Sequence, residues 1–341
     1  MNRNTPLSAH PLHDVRHRVR SAAQLRAAGV SAARTAAACL PGGPWQQLLP
    51  GVFLLHPHPP TARERVHGAL LYAGRPPVSA RRTAPARPGP EYGEAMVTGP
   101  AALALHGFTS VPPLDARHRI DVLVPRTRRL RSTGFVQVVR ASVPYRPETR
   151  LGTPVAPVER ALADAVASLT DASAVRRLLT ESVRAGYCEP ASVVRELSAA
   201  KLLGRPHVVD AVEELLAEGR AVAEGRLYAM VRRHGLPEPL WNVDLCLPGG
   251  ALLGGVDAYW PERAVALEIV TRSPRPAGAA GAAGAAGPAD REHLERLGVT
   301  VVRVTPAKLR GATAQQAVAV RTAMSAAEDR EPAVPVVVLP R

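Results

Sequence analysis

Cysteine, lysine and aromatic side chains are all scarce in this 341-residue chain. Its three cysteines, Cys39, Cys188 and Cys246, lie far apart and form no Cys-x-x-Cys pair. This spacing argues against a disulfide framework and against a zinc ribbon, and it fits a reducing cytoplasm. Only 4% of the residues are aromatic, so the core must be built from Ala, Val and Leu, and the 46% of hydrophobic residues is sufficient for one.

Long apolar runs are also absent from the sequence. No segment approaches the roughly 20 apolar residues that a membrane-spanning helix needs, so we expect no membrane partner. Early His and Arg residues are not followed by an apolar stretch and a small-residue cleavage site, so we expect no signal peptide. The length is that of two domains or three small ones, and we expect a cytoplasmic protein.

Positive charge dominates the composition, with a formal net charge of +14. Of the 43 basic residues only Lys201 and Lys308 are lysine. The excess favours a polyanionic partner, nucleic acid first and an anionic membrane second. A composition rich in Arg, Ala, Gly and Pro can also reflect coding bias, which is the alternative. Arginine is nevertheless the better residue for contacts with phosphates and guanine edges.

The N-terminal part has the pattern of two short helices followed by a β-hairpin. Gly29 supplies the stop of the first helix, and Ser31 is a good N-cap for the second. The chain then breaks and continues as two short strands joined by the turn Pro50-Gly51. We therefore predict a winged helix-turn-helix domain over residues 1–60.

The second helix of this pair is the candidate for contact with DNA, because such a helix can enter the major groove. The candidate DNA-binding residues near its N-terminal end are Ser31, Arg34 and Thr35. Two short helices joined by a tight turn are common, however. A pair that serves packing alone is therefore the alternative.

A second basic feature lies in the predicted central α/β region, residues 61–218. Two segments of alternating polarity, 120–124 and 135–140, predict strands. The turn between them carries four arginines that are candidates for contacts with DNA phosphates. They are Arg126, Arg128, Arg129 and Arg131. A solvated turn without a partner is the alternative.

Several runs in the first two thirds of the chain form a recognisable set. They are Leu25 to Ser31, Trp45 with Leu48 to Leu54, Thr98 to Gly107, the strand and basic turn at 120–131, and Thr153 to Asp164. Over about residues 20–200 this set resembles the AbiEi-type antitoxin and transcription-regulator family. The resemblance implies a regulator that binds DNA, in some cases within a type IV toxin–antitoxin operon. The partners it implies are DNA and either a cognate toxin or a second copy of the chain.

The last third, residues 219–341, carries carboxylates in apolar surroundings. Asp257 ends one predicted strand, and Glu268 lies within the apolar run 264–270. A carboxylate in such a run is costly to bury without a partner. Two of them on neighbouring strands can seat a divalent cation. The alternative is that Glu268 pairs with an arginine such as Arg303.

A wider set of residues accompanies these carboxylates. It consists of Glu224, Gly235 to Pro237, Asp257 to Pro261, Glu268, Arg291, Leu294, Gly298 and Val301 to Thr305. The set resembles the very-short-patch-repair-type endonucleases of the PD-(D/E)XK fold. In an active member, Glu224, Asp257 and Glu268 would hold Mg²⁺ and a water for attack on a phosphodiester. If the site were intact, Asp257 and Glu268 would be the metal ligands, and Mg²⁺ is the only cofactor implied.

One departure weakens the catalytic interpretation. Two residues after Glu268 the family has a polar residue, and this chain has Val270. An apolar side chain can neither orient a water nor take a proton. We therefore interpret the domain as a degenerate nuclease fold.

The sequence thus predicts an α+β protein with three parts: a winged helix-turn-helix, a central α/β region and a restriction-endonuclease-like α/β domain. We expect a DNA-binding transcription regulator of antitoxin type that is not an enzyme. The alternatives are a Mg²⁺-dependent DNA endonuclease, and an interaction module that binds a partner protein through a decayed nuclease fold. The geometry of the three carboxylates discriminates between these possibilities.

Overall fold

The computed structural model describes residues 11–75, 91–270, 288–328 and 336–340. Helices and three β-sheets both contribute, which confirms the predicted α+β class. The chain divides into two compact units. Unit 1 comprises Met1–Ser182 and Val193–Ala211, and unit 2 comprises Val183–Ser192 and Val212–Arg341.

None of the helices in the described part of the chain combines the length and the apolar character that crossing a membrane requires.

Unit 1 begins with a small antiparallel sheet of three strands. The elements are α1 (Pro11–Arg18), β1 (Val19–Ser21), α2 (Ala22–Ala27), α3 (Ala32–Ala38), β2 (Gln46–Leu49) and β3 (Val52–Leu54). The strand order is β1-β3-β2, so the hairpin joins β1 through its second strand. The predicted helix pair and hairpin are both present. Strand β1 was not predicted, because three residues are too few to show a period.

Local capping explains where the helices of this part begin. The Ser21 hydroxyl accepts the Gln24 N–H at 3.2 Å, and the Gln24 side chain accepts the Ser21 N–H at 2.8 Å. This reciprocal capping box satisfies two N–H groups that a helix start leaves without a partner. In the hairpin turn Gly51 has a φ of +76°, a conformation that glycine adopts without strain.

The remainder of unit 1 is built around a five-stranded mixed sheet. Its strands are β4 (Met96–Thr98), β5 (Ile120–Pro125), β6 (Val136–Ala141), β7 (Glu148–Arg150) and β8 (Thr153–Val155), in the order β6-β5-β4-β8-β7. Several helices belong to this part of the chain. They are α4 (Ala62–Ala73), α5 (Gly99–His106), α6 (Val158–Ser168), α7 (Ala172–Arg184) and α8 (Pro190–Ala199).

Helix α4 is the central element of unit 1. Ten of its twelve residues are buried, because it packs against the small sheet through β1, β2 and β3 and against the larger sheet through β5. Its start is closed by a second capping box between Thr61 and Glu64. Glu64 is only 1% exposed, and its carboxylate lies 3.1 Å from Nε2 of His56 at the end of the hairpin.

Unit 2 contains the third sheet. Its elements are α9 (Pro206–Arg233), β9 (Leu240–Cys246), β10 (Leu252–Trp260), β11 (Val265–Ile269), α10 (Pro288–Arg296), β12 (Thr300–Val304), α11 (Pro306–Gly311), α12 (Thr313–Glu328) and β13 (Val337–Pro340). The order is β12-β11-β10-β9-β13, with β11 and β12 parallel and the other neighbours antiparallel. Leu227 of α9 and Val320 of α12 pack with Leu267 in one buried cluster. Leu294 of α10 packs with Tyr259 in another.

The predicted boundary between the central region and the last domain, at 218/219, lies within the single helix α9, and Gly219 is the residue that follows this boundary. In the structure it is an interior residue of α9 and is buried. A Cβ atom at this position would lie 2.3 Å from Cγ of Pro190, so the glycine serves a close approach to α8 instead of a helix end. The predicted boundary at 218/219 therefore falls inside a helix.

Alanine substitutions at the two glycines within α9 test this explanation. We expect Gly225→Ala to stabilise the protein by about 0.5–1 kcal/mol, because the position is exposed and an added Cβ meets nothing within 4 Å. Gly219→Ala should destabilise it by about 1–2 kcal/mol, since the Pro190 ring must move. Urea unfolding followed by tryptophan fluorescence measures both. Equal effects at the two positions would contradict the close-approach explanation.

Candidate functional site

Helix α3 presents an exposed face of one arginine and several alanines. Arg34 is exposed, as are Ala32, Ala33, Ala36 and Ala37. Within the described part of the chain the Arg34 guanidinium makes no hydrogen bond or ion pair. An arginine beside small side chains can reach a base edge or a phosphate without first breaking an internal contact.

The other two candidate residues of this helix have internal roles. The Ser31 hydroxyl accepts the Arg34 N–H at 3.2 Å and caps the helix. Thr35 is only 6% exposed, and its hydroxyl donates to the Ser31 carbonyl at 3.0 Å. Thr35 therefore lies on the packed face of α3, whereas the Arg34 side chain is exposed. The position of these residues along the helix did not indicate which face of α3 is exposed and which is buried.

The basic turn that joins β5 and β6 is held in place by backbone acceptors. Arg126, Arg129 and Arg131 are exposed. Arg128 is half-buried, and its guanidinium donates to the carbonyls of Ala73 (2.9 Å) and Arg75. Arg128 is thus a structural residue, in contrast to its predicted role in phosphate contact. The remaining three arginines extend from the anchored turn.

Arg75 connects this basic turn to the tip of the hairpin. Its guanidinium donates to the Pro50 carbonyl at 2.8 Å and lies over the Tyr72 ring at 4.3 Å from the centroid. The Tyr72 hydroxyl in turn donates to the Arg131 carbonyl at 2.7 Å. The hairpin tip and the basic turn are therefore both fastened to the last turn of α4. The role of Arg75 depends on contacts with residues distant along the chain, such as Pro50, so no local sequence pattern indicated it.

Residues of the central motifs meet in a polar cluster. The Thr98 hydroxyl, fully buried, donates to the Asp164 carboxylate at 2.6 Å, so it does not cap α5. Arg160 donates to the same carboxylate at 3.0 Å, and its guanidinium lies over the Tyr145 ring. These contacts tie β4 to α6. Thr98, Arg160 and Asp164, which belong to the runs that carry the resemblance, therefore have a structural role.

Asp257 lies within a strand, although the sequence predicted that it ends one. Strand β10 continues to Trp260, and Asp257 is only 4% exposed. One carboxylate oxygen accepts the Ile269 N–H at 2.6 Å, and the other accepts from Arg220 at 2.6 Å. The antiparallel pairing of β10 with β11 runs from Trp260 to Ala258. Beyond it the Asp257 side chain takes a backbone N–H of β11.

Each of the three predicted carboxylates is bound to an arginine. Arg220 also contacts Glu224, with Nε 2.8 Å from Oε1, so one guanidinium joins Glu224 to Asp257. Glu268, 8% exposed, lies 3.2 Å from Nε of Arg303, its register partner on β12. The alternative pairing with Arg303 is thus the observed one. Arg220 was missed, although its spacing of four residues before Glu224 on a helix was a usable signal.

Val270 follows the last residue of β11, and its N–H donates to the Val304 carbonyl at 2.9 Å. The backbone of Val270 is therefore hydrogen-bonded within the sheet, and its apolar side chain adds no polar group to the set of carboxylates. Of the further residues in the nuclease-like set, the side chain of Arg291 lies outside the described residues.

The register places an unusual backbone beside Asp257. Asn242 of β9 lies between the pairs Val256↔Val243 and Ala258↔Trp241, and it has a φ of +49°. Non-glycine residues with positive φ are uncommon. The Asn242 side chain donates to the Tyr228 hydroxyl at 3.2 Å. The irregular backbone and the arginine-bound carboxylate therefore occur at the same level of the sheet.

The charge balance of this cluster determines what it can do chemically. Among the residues that the structure describes, Arg220 and Arg303 are paired with Glu224, Asp257 and Glu268, so internal cations help to hold this region together. Within the described residues no three His, Cys, Asp or Glu side chains are arranged to hold a metal ion. If Mg²⁺ were to bind at Asp257 and Glu268, it would compete with Arg220 and Arg303.

No family model matches the chain, and no curated protein matches it.

Substitution of Arg220 tests whether this cluster is structural. We expect Arg220→Met to destabilise the protein by about 2–4 kcal/mol, because it leaves the buried Asp257 carboxylate without its cation. Arg184→Met is the matched control: Arg184 also lies 2.6 Å from its partner, Glu218, but its side chain is 66% exposed. The control should cost much less, because an exposed ion pair contributes little to stability. Urea unfolding measures both, and equal losses would contradict a buried structural pair.

Proposed function

We propose that the protein is a DNA-binding transcription regulator of antitoxin type. The observation that carries the proposal is the arrangement of the N-terminal elements. Helices α2 and α3 lie between β1 and the hairpin, and the strand order is β1-β3-β2. This order supports the assignment of a winged helix-turn-helix, in which the second helix of the pair would enter the major groove.

The exposed charges support DNA as the partner of this part of the chain. Arg34 is the exposed cation on α3, and Arg126, Arg129 and Arg131 extend from a turn fastened to the same helix end as the hairpin tip. Contacts of the turn with phosphates would position the protein, and Arg34 would read a base edge. The net charge of +14 adds long-range attraction to a polyanion.

The antitoxin class rests on the resemblance of about residues 20–200 to AbiEi-type regulators. That resemblance makes a cognate toxin or a second copy of this chain the expected protein partner. A second copy would let two α3 helices meet half-sites one helical turn apart.

For unit 2 we propose a nuclease-like domain that binds without cleaving. Arg220 and Arg303 already neutralise the carboxylates that would hold Mg²⁺, and Val270 supplies no water-orienting group. The rival functions remain a Mg²⁺-dependent endonuclease and a module that binds a partner protein. Metal-dependent nicking of plasmid DNA that Asp257→Ala abolishes would establish the endonuclease and refute this assignment.

Substitution of Arg34 tests the DNA-binding helix. A target sequence is first selected from random DNA with the full-length protein. Arg34→Ala should then weaken binding to that sequence by about 1–3 kcal/mol, because it removes a base contact. Arg232→Ala, an exposed arginine at the end of α9, changes the net charge equally and serves as the control. Fluorescence anisotropy measures both affinities. If the two variants lose affinity equally, α3 is not the reading helix.

A pair of neighbouring arginines tests the basic turn. Arg129→Ala should lower affinity on all sequences alike and reduce the slope of log affinity against log salt by about 1, since one phosphate contact is lost. Arg128→Ala should lower stability, because two backbone carbonyls lose their donor, and should change the salt slope less. Anisotropy at several salt concentrations and thermal melting separate the two effects. An unchanged slope for Arg129→Ala would remove the turn from the DNA surface.

A further inference from the structure

Unit 1 contains a cavity of about 460 Å³ that the DNA-binding assignment does not use. Its walls come from α1, α4, the end of α5 and the segment that follows α5. Most of the lining is apolar and includes Val66, Leu70, Phe108 and Leu114. Pockets of a few hundred Å³ with apolar walls and a small number of polar groups are typical of small-molecule sites.

A neutral polar pair lies in the wall of this cavity. Nδ1 of His67 and the Tyr92 hydroxyl are 2.8 Å apart, and the rings meet edge to face. Burial lowers the pKa of His67. Burial also raises the pKa of Tyr92 to about 12. Both groups are therefore uncharged at neutral pH, and they offer hydrogen bonds to a polar but uncharged part of a ligand.

The rim of the cavity carries charged side chains of both signs. Arg63 and Arg16 both line it, together with the exposed Asp115. Arg16 is paired with Glu91, with Nε 3.3 Å from Oε2. The Arg63 guanidinium makes no hydrogen bond or ion pair with any residue that the structure describes. Arg63 is thus the cation at the rim that can form an ion pair with an anionic group of a ligand.

We propose that this cavity binds a small organic acid with a ring-sized apolar body. The ring lies between Leu70, Phe108 and Leu114, and the carboxylate pairs with Arg63. A hydroxyl on the ring completes the hydrogen bonding of the His67–Tyr92 pair. The three parts of the ligand match the three kinds of surface that the cavity presents.

The cavity is connected to the helix pair by a short polar chain. Glu91, which binds Arg16 at the rim, also accepts a hydrogen bond from the Gln24 side chain at 3.5 Å. Gln24 forms the capping box that starts α2. A ligand that alters the Arg16–Glu91 pair therefore acts on the start of α2, which directly follows β1. This step rests on the proposed function, since it makes the acid an effector of DNA binding.

Isothermal titration of the full-length protein tests the site without DNA. The probe is 4-hydroxyphenylacetate, and its amide, 4-hydroxyphenylacetamide, is the matched neutral control. We expect the acid to bind at millimolar concentration or below and the amide to bind about tenfold more weakly. Arg63→Gln should remove this preference for the acid without lowering the melting temperature, because Arg63 is exposed.

A second variant tests the position of the ligand. Ala104 lines the cavity, and Ala104→Phe should fill part of it and abolish binding of the acid. Thermal melting checks that this variant is folded, and Arg63→Gln covers the case in which it is not. The proposal is overturned if neither probe binds the wild type, or if the acid binds a folded Ala104→Phe variant as tightly as the wild type.

The connection to DNA is tested separately. The acid should change the affinity for the selected DNA by about fivefold or more, in either direction, and DNA should change the affinity for the acid by the same factor. Glu91→Ala should leave binding of the acid in place and remove its effect on DNA. Binding of the acid by a protein that binds no DNA would retain the site and refute the regulator. DNA binding that the acid leaves unchanged would retain the regulator and refute the connection.

Discussion

The burial of helix α4 on nearly all sides is the constraint on which unit 1 depends. Because two sheets pack on α4, the helix is fixed in position, and side chains at each of its ends can anchor neighbouring segments of the chain. At its start, Glu64 binds His56 at the end of the hairpin. At its end, Tyr72 and the adjoining Arg75 hold the basic turn and the hairpin tip. His67, between the two ends, faces the cavity. The proposed DNA surface and the proposed ligand site thus share one rigid support.

The two units use arginine in different ways. In unit 1 several arginines project from anchored backbone, and Arg34 and Arg129 are examples. In unit 2, Arg220 and Arg303 are bound to buried or half-buried carboxylates. An excess of positive charge in the composition therefore does not translate uniformly into surface for DNA. The exposed arginines of unit 1 contribute to the long-range attraction of polyanions. The paired arginines of unit 2 neutralise carboxylates that would otherwise be costly to bury.

The parts of the fold that could be predicted are those set by local chemistry. Ser31 as a cap, the Pro50-Gly51 turn and the alternating strand 120–124 depend on neighbours along the chain, and all three are present. The errors arose where a distant contact decides. Gly219 lies inside a helix at the point where Pro190 approaches it closely, and the buried position of Thr35 depends on which face of α3 packs. No local pattern carries that information.

Pairing with Arg303 was an open alternative for Glu268, and the structure selects it. Predicting the role of Arg220 required the knowledge that α9 is one continuous helix beside β10.

The contact between Asp257 and the Ile269 N–H has a further consequence. At this point a side chain replaces a strand carbonyl as the acceptor for a backbone amide. Hydrogen exchange at that single amide therefore reports on the carboxylate and, through it, on the arginine that binds it. The protein contains a native probe at the centre of unit 2: a ligand that draws Arg220 away would become visible as faster exchange at one position, without any label.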